Sequence, residues 1–277
     1  GIFAQIAASA LGVTLDKVRV MTGDTGMTPY GGGTWASRGA GIGGEAVLLA
    51  GRALRSNILD VASRILNVEK AELEILNNEV VSKLTLESKM PLAELGRVAY
   101  FRPDTLPIDF QSELTVTRHY TPRQYGFTFT NGIQASLLEI DPDTGFVRLL
   151  KHWCVEDSGT VVNPMLADEQ IRGGVVQGIG AALYEECLYG PDGQLLNGNM
   201  ADYLVPMSGE MPDIVCAHVE TPTQQSQLGA KGIGEAGTAG APAAIMNAIN
   251  DALAPLGARV TAMPFTPERL LKALRKV

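Results

Sequence analysis

One carboxylate, Glu235, sits among five glycines and beside Lys231 in "GAKGIGEAGTAG", Gly229 to Gly240, just ahead of a long apolar helical pattern. Glycine lets a backbone come close to a ligand or to another backbone, so an acid placed there has two readings. It is incidental to a nucleotide-binding loop, or it is a catalytic acid held beside a bulky cofactor. "GIGEAG" fits G-x-G-x-x-G through Gly232, Gly234 and Gly237, and "GAGIGG" fits it through Gly39, Gly41 and Gly44. The dinucleotide fingerprint also needs a strand running into the loop, a helix opening from it and an acid about 20 residues on to hold the ribose. The strand pattern before Gly232 stops well short of the loop, and "ARVTAM" after the helix offers no acid. There is no G-x-x-x-x-G-K-[ST] and no nucleophile elbow. What remains is three loops, "GGGTWASRG", "VVQGIG" and "KGIGEAG", whose amides suit an anionic, extended ligand. Arg38 adds a charged fork to the first of them.

The other chemistry-bearing residues are scattered. Cys154, Cys187 and Cys216, like His119, His152 and His218, lie far apart, with neither a CxxC pair nor iron–sulfur spacing. Each reads as a packing or surface residue, and no metal site built from the chain's own side chains is expected. The formal charge of -8 argues against nucleic acid, which asks for clustered Lys and Arg. No apolar run reaches the roughly 18 residues of a membrane helix; the longest candidate, "AVLLAGRALRSNIL", is broken by Arg52 and Arg55. With 277 residues, 45% of them hydrophobic, the chain can bury the core of one large domain or two lobes.

The elements that must position these loops alternate between helix and strand. A first helix carries Ile2, Phe3, Ile6, Ala7, Ala10 and Leu11 on one face and stops near Gly12. Because the chain opens inside that pattern, a piece of a longer polypeptide is expected. A strand is expected at Lys17–Thr22, a loop over Gly23–Gly44, a long helix over Glu45–Leu66, a hairpin turning at Asn77-Asn78, and a short helix with Pro91 at its first position. A second hairpin turns at Asp141–Gly145, and a glycine-bearing helix spans about Pro164 to Cys187. A strand "DIVCAHVE", the Glu235 loop, a helix "APAAIMNAINDAL", a strand "ARVTAM" and a last helix opened by Thr266, Pro267 and Glu268 complete the chain. The predicted fold is α+β: two similar lobes of mixed sheet and packed helices, with the first lobe at 1–125 and the second, carrying the glutamate loop, at 126–277.

Taken together and in order, the glycine loops go further. "FAQIAASALGV", "VRVMTGDTGMTPYGGGTWASRGAGIGGEA", "VEDSGTVVNPMLADEQIRGGVVQGIGAALYEE", "KGIGEAGTAGAPAAIMNAINDAL" and "PFTPERL" resemble the molybdenum-cofactor-binding subunit of the xanthine dehydrogenase, aldehyde oxidase and carbon monoxide dehydrogenase family, in its C-terminal half. The resemblance covers nearly the whole chain and implies a molybdopterin-binding fold. It implies a molybdenum-dependent oxidoreductase that hydroxylates an aldehyde or N-heterocycle carbon with water-derived oxygen. Glu235 would be the general base, shielded by the cofactor, with Gly234 and Gly237 leaving room beside it. Thr34, Ala36, Ser37, Arg38 and Gly39 would contact the pterin mainly through backbone amides, and Gln177 would bond the cofactor near its metal end. Trp35 is expected either to shape the substrate cavity or to be core, and Lys231 either to stand near the acid or to be solvated.

The same resemblance implies molybdopterin in its cytosine dinucleotide form, carrying molybdenum. It implies [2Fe-2S] clusters and FAD on partner chains: an iron–sulfur subunit or domain and a flavin subunit. It also implies the N-terminal half of the molybdenum-binding subunit as a partner, and a cytoplasmic or periplasmic setting. Nothing in the chain matches that N-terminal half, so it would hold half a cofactor cradle at most. The opposing reading is a noncatalytic scaffold that packs on partner chains without cofactor. A nicotinamide-linked dehydrogenase rests on the G-x-G-x-x-G matches alone.

Overall fold

A computed structural model describes residues 1–28, 30–122 and 128–276. The chain divides into two compact units: Gly1–Trp35, Gly39–Gly126 and Gln224–Leu228 form the first, and Ala36–Arg38, Phe127–Thr223 and Gly229–Val277 the second. The lobe boundary expected at 125/126 lies outside the described residues.

In the first unit, helix α1 (Ile2–Leu11) ends at Gly12, whose φ of 84° is the left-handed C-cap a glycine adopts without strain. It packs on α2 (Glu45–Leu66) so closely that a Cβ at Gly51 would stand 2.6 Å from that of Ala10. Strands β1 (Leu73–Leu76), β2 (Glu79–Ser82) and β3 (Ser88–Pro91) form an antiparallel sheet in that order. The hairpin turns on Asn77 and Asn78, both at positive φ as a tight two-residue turn demands. Helix α3 (Leu92–Phe101) completes a core of Val61, Ala62, Leu73, Val80, Leu95 and Ala99.

In the second unit, β4 (Asn131–Ile140) and β5 (Val147–Asp157) form the expected antiparallel hairpin, and β6 (Asp213–His218) lies parallel to β5. A parallel pair needs a crossover, which α4 (Pro164–Leu183) provides. Helix α5 (Ala236–Leu253) packs on α4 and on β4, and α6 (Pro267–Ala273) opens with the Thr266 side chain accepting from Arg269 N. Ile171, Val175, Ile179, Ile245, Ile249, Leu253 and Phe265 fill the core between them.

Several expectations are corrected. Residues 17–22 are not a strand: Leu15–Lys17 form a 3₁₀ turn, and no described strand pairs with residues 18–22. Gly39–Gly44, expected as loop, is a π-helical turn leading into α2, and β3 is an element the sequence pattern does not announce. Pro91 is the N-cap of α3, not its first residue, and α4 ends at Leu183, short of Cys187. "ARVTAM" is no strand either; the Asn250 side chain bonds both the N–H and the C=O of Val260, at 2.9 Å each, in place of a neighbouring strand. Most consequential, α5 begins at Ala236, so Gly237 and Gly240 are helical. They read as loop because glycine is a poor helix former. They are here because the helix must lie against α4 and Gln134: a Cβ at Gly237 would stand 2.7 Å from Val175 N, and one at Gly240 would stand 2.9 Å from Gln134 Cδ.

Candidate functional site

The site is built in the second unit, where residues 36–38 meet the turn that starts α5. Ala36 and Ser37 are both left-handed, at φ 50° and 55°. Each such residue costs an L-amino acid roughly 1–2 kcal/mol, and adjacent pairs persist only where surrounding bonds hold them. Those bonds come from Glu235. The Ser37 hydroxyl donates to Glu235 Oε2 at 2.8 Å, and the Glu235 backbone N–H donates back to Ser37 Oγ at 2.9 Å. A Cβ at Gly234 would stand 3.2 Å from Ser37 Oγ, and one at Gly232 would stand 3.0 Å from Ser37 Cβ. Both glycines therefore admit Ser37. Gly237, expected to clear space beside the acid, instead clears it for the backbone of α4.

Glu235 occupies the N-cap position of α5, yet its side chain makes no capping bond. One carboxylate oxygen is taken by Ser37; the other has no hydrogen bond to a described residue. The chain itself does not bury this acid: Glu235 is exposed, so the expected shielding is not supplied by its own side chains. The backbone around it is nevertheless well held. Gln170 on α4 donates to Gly234 O at 2.9 Å, and Gln134 on β4 donates to Gly237 O at 3.0 Å and to Ala236 O at 3.2 Å. One helical turn past Glu235, Thr238 Oγ1 donates to Gly174 O at 3.0 Å and stands 3.2 Å from Gln177 Oε1, which brings the Gln177 side-chain amide, a group able both to donate and to accept, beside the start of α5. Gln177 is exposed, on the same stripe of α4 as Gly173, where a Cβ would meet nothing within 4 Å.

Upstream, Lys231 is neither solvated nor bonded to the acid. Its ammonium reaches Asp157 at 3.1 Å and Thr221 Oγ1 at 2.6 Å, and the Lys231 and Asp157 side chains are each only 13% exposed. Partial burial pushes the Asp157 carboxyl up. The Thr221 hydroxyl and amide, the Gly159 amide and the Lys231 ammonium outweigh it and hold the group well below the usual carboxylate range. This clasp ties the end of β5 to the strand-like segment that feeds the loop, where Lys231 N donates to Ser158 O at 2.7 Å.

The structure thus brings Ala36, Ser37, Arg38, Gln177, Gly234 and Glu235 into one unit, with Arg38 half-buried. Thr34 and Gly39 belong to the first unit, where a Cβ at Gly39 would lie 3.6 Å from Thr34 Cγ2. Trp35, in the first unit, is not core: it is 55% exposed, its indole N–H donating to Gly32 O at 3.0 Å. Sequence reasoning missed Gln134, Gln170, Thr238 and Asp157. Gln134 carried a signal, since the alternation of β4 puts it and Ser136 on the inward side with Leu138 and Ile140, where a polar residue needs a partner.

No group of His, Cys, Asp or Glu among the described residues is arranged to hold a metal. A metal carried in its own organic chelate asks the protein for hydrogen-bond donors rather than ligands. The Gln177 side-chain amide and the strained 36–38 turn fit that demand.

A two-unit α+β chain with a lone exposed glutamate at a helix start, fed by a glycine loop and with the exposed Gln177 amide one helix away, has the form of a domain that holds a large polar cofactor. Residues 1–212 match the molybdopterin cofactor-binding domain, and the chain belongs to that family. It is 37% identical over 276 residues to the nicotine 6-hydroxylase large subunit of Paenarthrobacter nicotinovorans, covering 99% of this chain and 33% of that protein. It is 30% identical over 274 residues to the carbon monoxide dehydrogenase large chain of Hydrogenophaga pseudoflava, covering 99% and 34%. The crystal structure of quinoline 2-oxidoreductase from Pseudomonas putida 86 superimposes with a TM-score of 0.88 at 37% identity, over 99% of this chain and 35% of that one. The chain therefore spans about a third of the length of these relatives. No helix among the described residues is long and apolar enough to cross a membrane.

Proposed function

We propose that this chain is the part of a molybdenum hydroxylase that carries its general base, Glu235. The observation that carries the reading is the reciprocal Ser37–Glu235 link, which fixes one carboxylate oxygen and leaves the other open to receive a proton. The molybdopterin cofactor, in its cytosine dinucleotide form, would supply the two-electron oxidant and the activated water-derived oxygen. Gln177 would hydrogen-bond it through its side-chain amide, and Ala36, Ser37, Arg38 and Gly234 would line it, with Thr34 and Gly39 flanking the same loop in sequence. Glu235 then takes the proton released as oxygen is transferred. The favoured substrate is an electron-poor carbon of an N-heterocycle rather than an aldehyde, because nicotine and quinoline, named in the two relatives at 37% identity, are both N-heterocycles. Electrons would leave through [2Fe-2S] clusters and FAD on partner chains, in a cytoplasmic complex that includes the rest of the large subunit. The relatives' names as a large subunit and a large chain favour such an assembly.

Glu235→Gln in the complete enzyme tests this. Turnover should fall by about 10²–10⁴-fold, the typical contribution of a general base, while molybdenum and pterin content stay at the parent level. Parent-level turnover overturns the role of Glu235. A purified parent complex without molybdenum or pterin would favour the scaffold reading.

A further inference from the structure

Behind the first turn of α5 the sheet offers a chain of polar side chains that the proton transfer does not use. Gln134 Nε2 has three acceptors around it: Gly237 O at 3.0 Å, Ala236 O at 3.2 Å and Glu156 Oε1 at 3.4 Å. Its Oε1 faces His152 Nε2 at 3.0 Å, and His152 Nδ1 faces Ser136 Oγ at 2.8 Å. His152 is fully buried, and that burial pushes its pKa down to about 4, so the ring is neutral near neutrality. A neutral imidazole has one donor and one acceptor. Because Nε2 must donate to the Gln134 carbonyl, Nδ1 accepts the Ser136 hydroxyl. The amide of Gln134 has a single satisfactory orientation, since the flipped one would point its oxygen at two carbonyls and a carboxylate.

Two glycines show that this arrangement is built in. Any side chain at Gly132 would fall on the Glu156 carboxylate, and one at Gly240 would displace Gln134. The carbonyls that Gln134 grips belong to the two residues immediately after Glu235. Gln170 grips the carbonyl immediately before it. The backbone of the acid is pinned on both sides by glutamine amides from two different elements.

Resting on the assignment of Glu235 as base, we propose that Gln134, buttressed by His152 and Ser136, is a positioning residue that sets the direction of the Glu235 carboxylate. Without it the Ala236 and Gly237 carbonyls lose their amide donor and the first turn of α5 is free to shift, and misplacement by about 1 Å is enough to cost on the order of 10²-fold in rate.

The test is a cycle in the complete holoenzyme: parent, Gln134→Leu, Glu235→Gln and the double variant, with kcat, KM and molybdenum content measured for each. Gln134→Leu should lower kcat by about 10–100-fold with KM and molybdenum content within about twofold of the parent. In the Glu235→Gln background it should change the residual turnover by less than about twofold, because a residue that acts through another adds nothing once that other is gone. An unchanged kcat for Gln134→Leu, or equal losses in both backgrounds, overturns the inference while leaving the base assignment standing. Parent-level turnover in Glu235→Gln overturns the base assignment itself. Should Gln134→Leu fail to fold, Ser136→Ala is read in its place: it frees only the far end of the relay, so kcat falls about threefold if the inference holds and does not move if it fails.

Discussion

Replacing Gly237 by alanine adds one methyl group where there is no room for it. A Cβ there would lie 2.7 Å from Val175 N and 3.0 Å from Gly174 C, and closer still to the Ile171 carbonyl. All three neighbours are backbone in the middle of α4, so no rotamer change relieves the overlap. To restore an ordinary 3.4 Å contact with Val175 N alone, α5 must move by about 0.7 Å. Overpacking of this kind costs about 1–3 kcal/mol, and alanine's better helix propensity returns less than about 1 kcal/mol so near the helix start. The net loss of about 1–2 kcal/mol corresponds to a fall in Tm of about 2–8 °C. Gly173→Ala is the control on the same helix pair. Its Cβ meets nothing within 4 Å, so it should hold or raise Tm by about 2–4 °C. Differential scanning calorimetry of the complete protein measures both. A Gly237→Ala protein as stable as the parent, or a Gly173→Ala protein losing as much, refutes the claim that close helix contact is what requires glycine at 237.

Ser37→Ala removes both bonds to Glu235, and with them the support of the left-handed Ala36–Ser37 pair, so turnover should fall about tenfold. Because the freed groups are exposed, Tm should drop by no more than about 2–4 °C; steady-state kinetics and a melt together check this. The buried His152 gives an acid-sensitive contribution. Its folded pKa of about 4 lies below the unfolded value near 6.5, so the unfolded state takes up the proton first. Stability is then full above pH 6.5 and declines by on the order of 3 kcal/mol as pH falls to about 4. His152→Gln should abolish that part of the decline in melts across this range, and an unchanged slope would refute the assignment.

Much of this architecture is legible in the residues. The 2–11 and 45–66 helices, both hairpins and the Thr266 cap follow from periodicity and turn chemistry that local rules read directly. Two of the misreadings share one cause: the competing partner is a side chain or a helix outside the local pattern. "ARVTAM" has strand composition, but Asn250 takes its backbone groups. Gly237 and Gly240 carry a loop's composition, but close approach to α4 and Gln134 demands them inside a helix. At the site, Glu235, Ser37 and Gln177 come from ordered motifs, whereas Gln134 and Asp157 act through partners 102 and 74 positions away that no local window contains.

The two-way bond between Ser37 and Glu235 makes the acid a strut as well as the proposed proton acceptor. A glutamine at 235 keeps a carbonyl oxygen for the serine hydroxyl, so the contorted Ala36–Ser37 corner stays propped. An alanine keeps only the backbone N–H half of that prop, so truncating the acid would remove the proposed base and slacken the Ala36–Ser37 corner in one stroke.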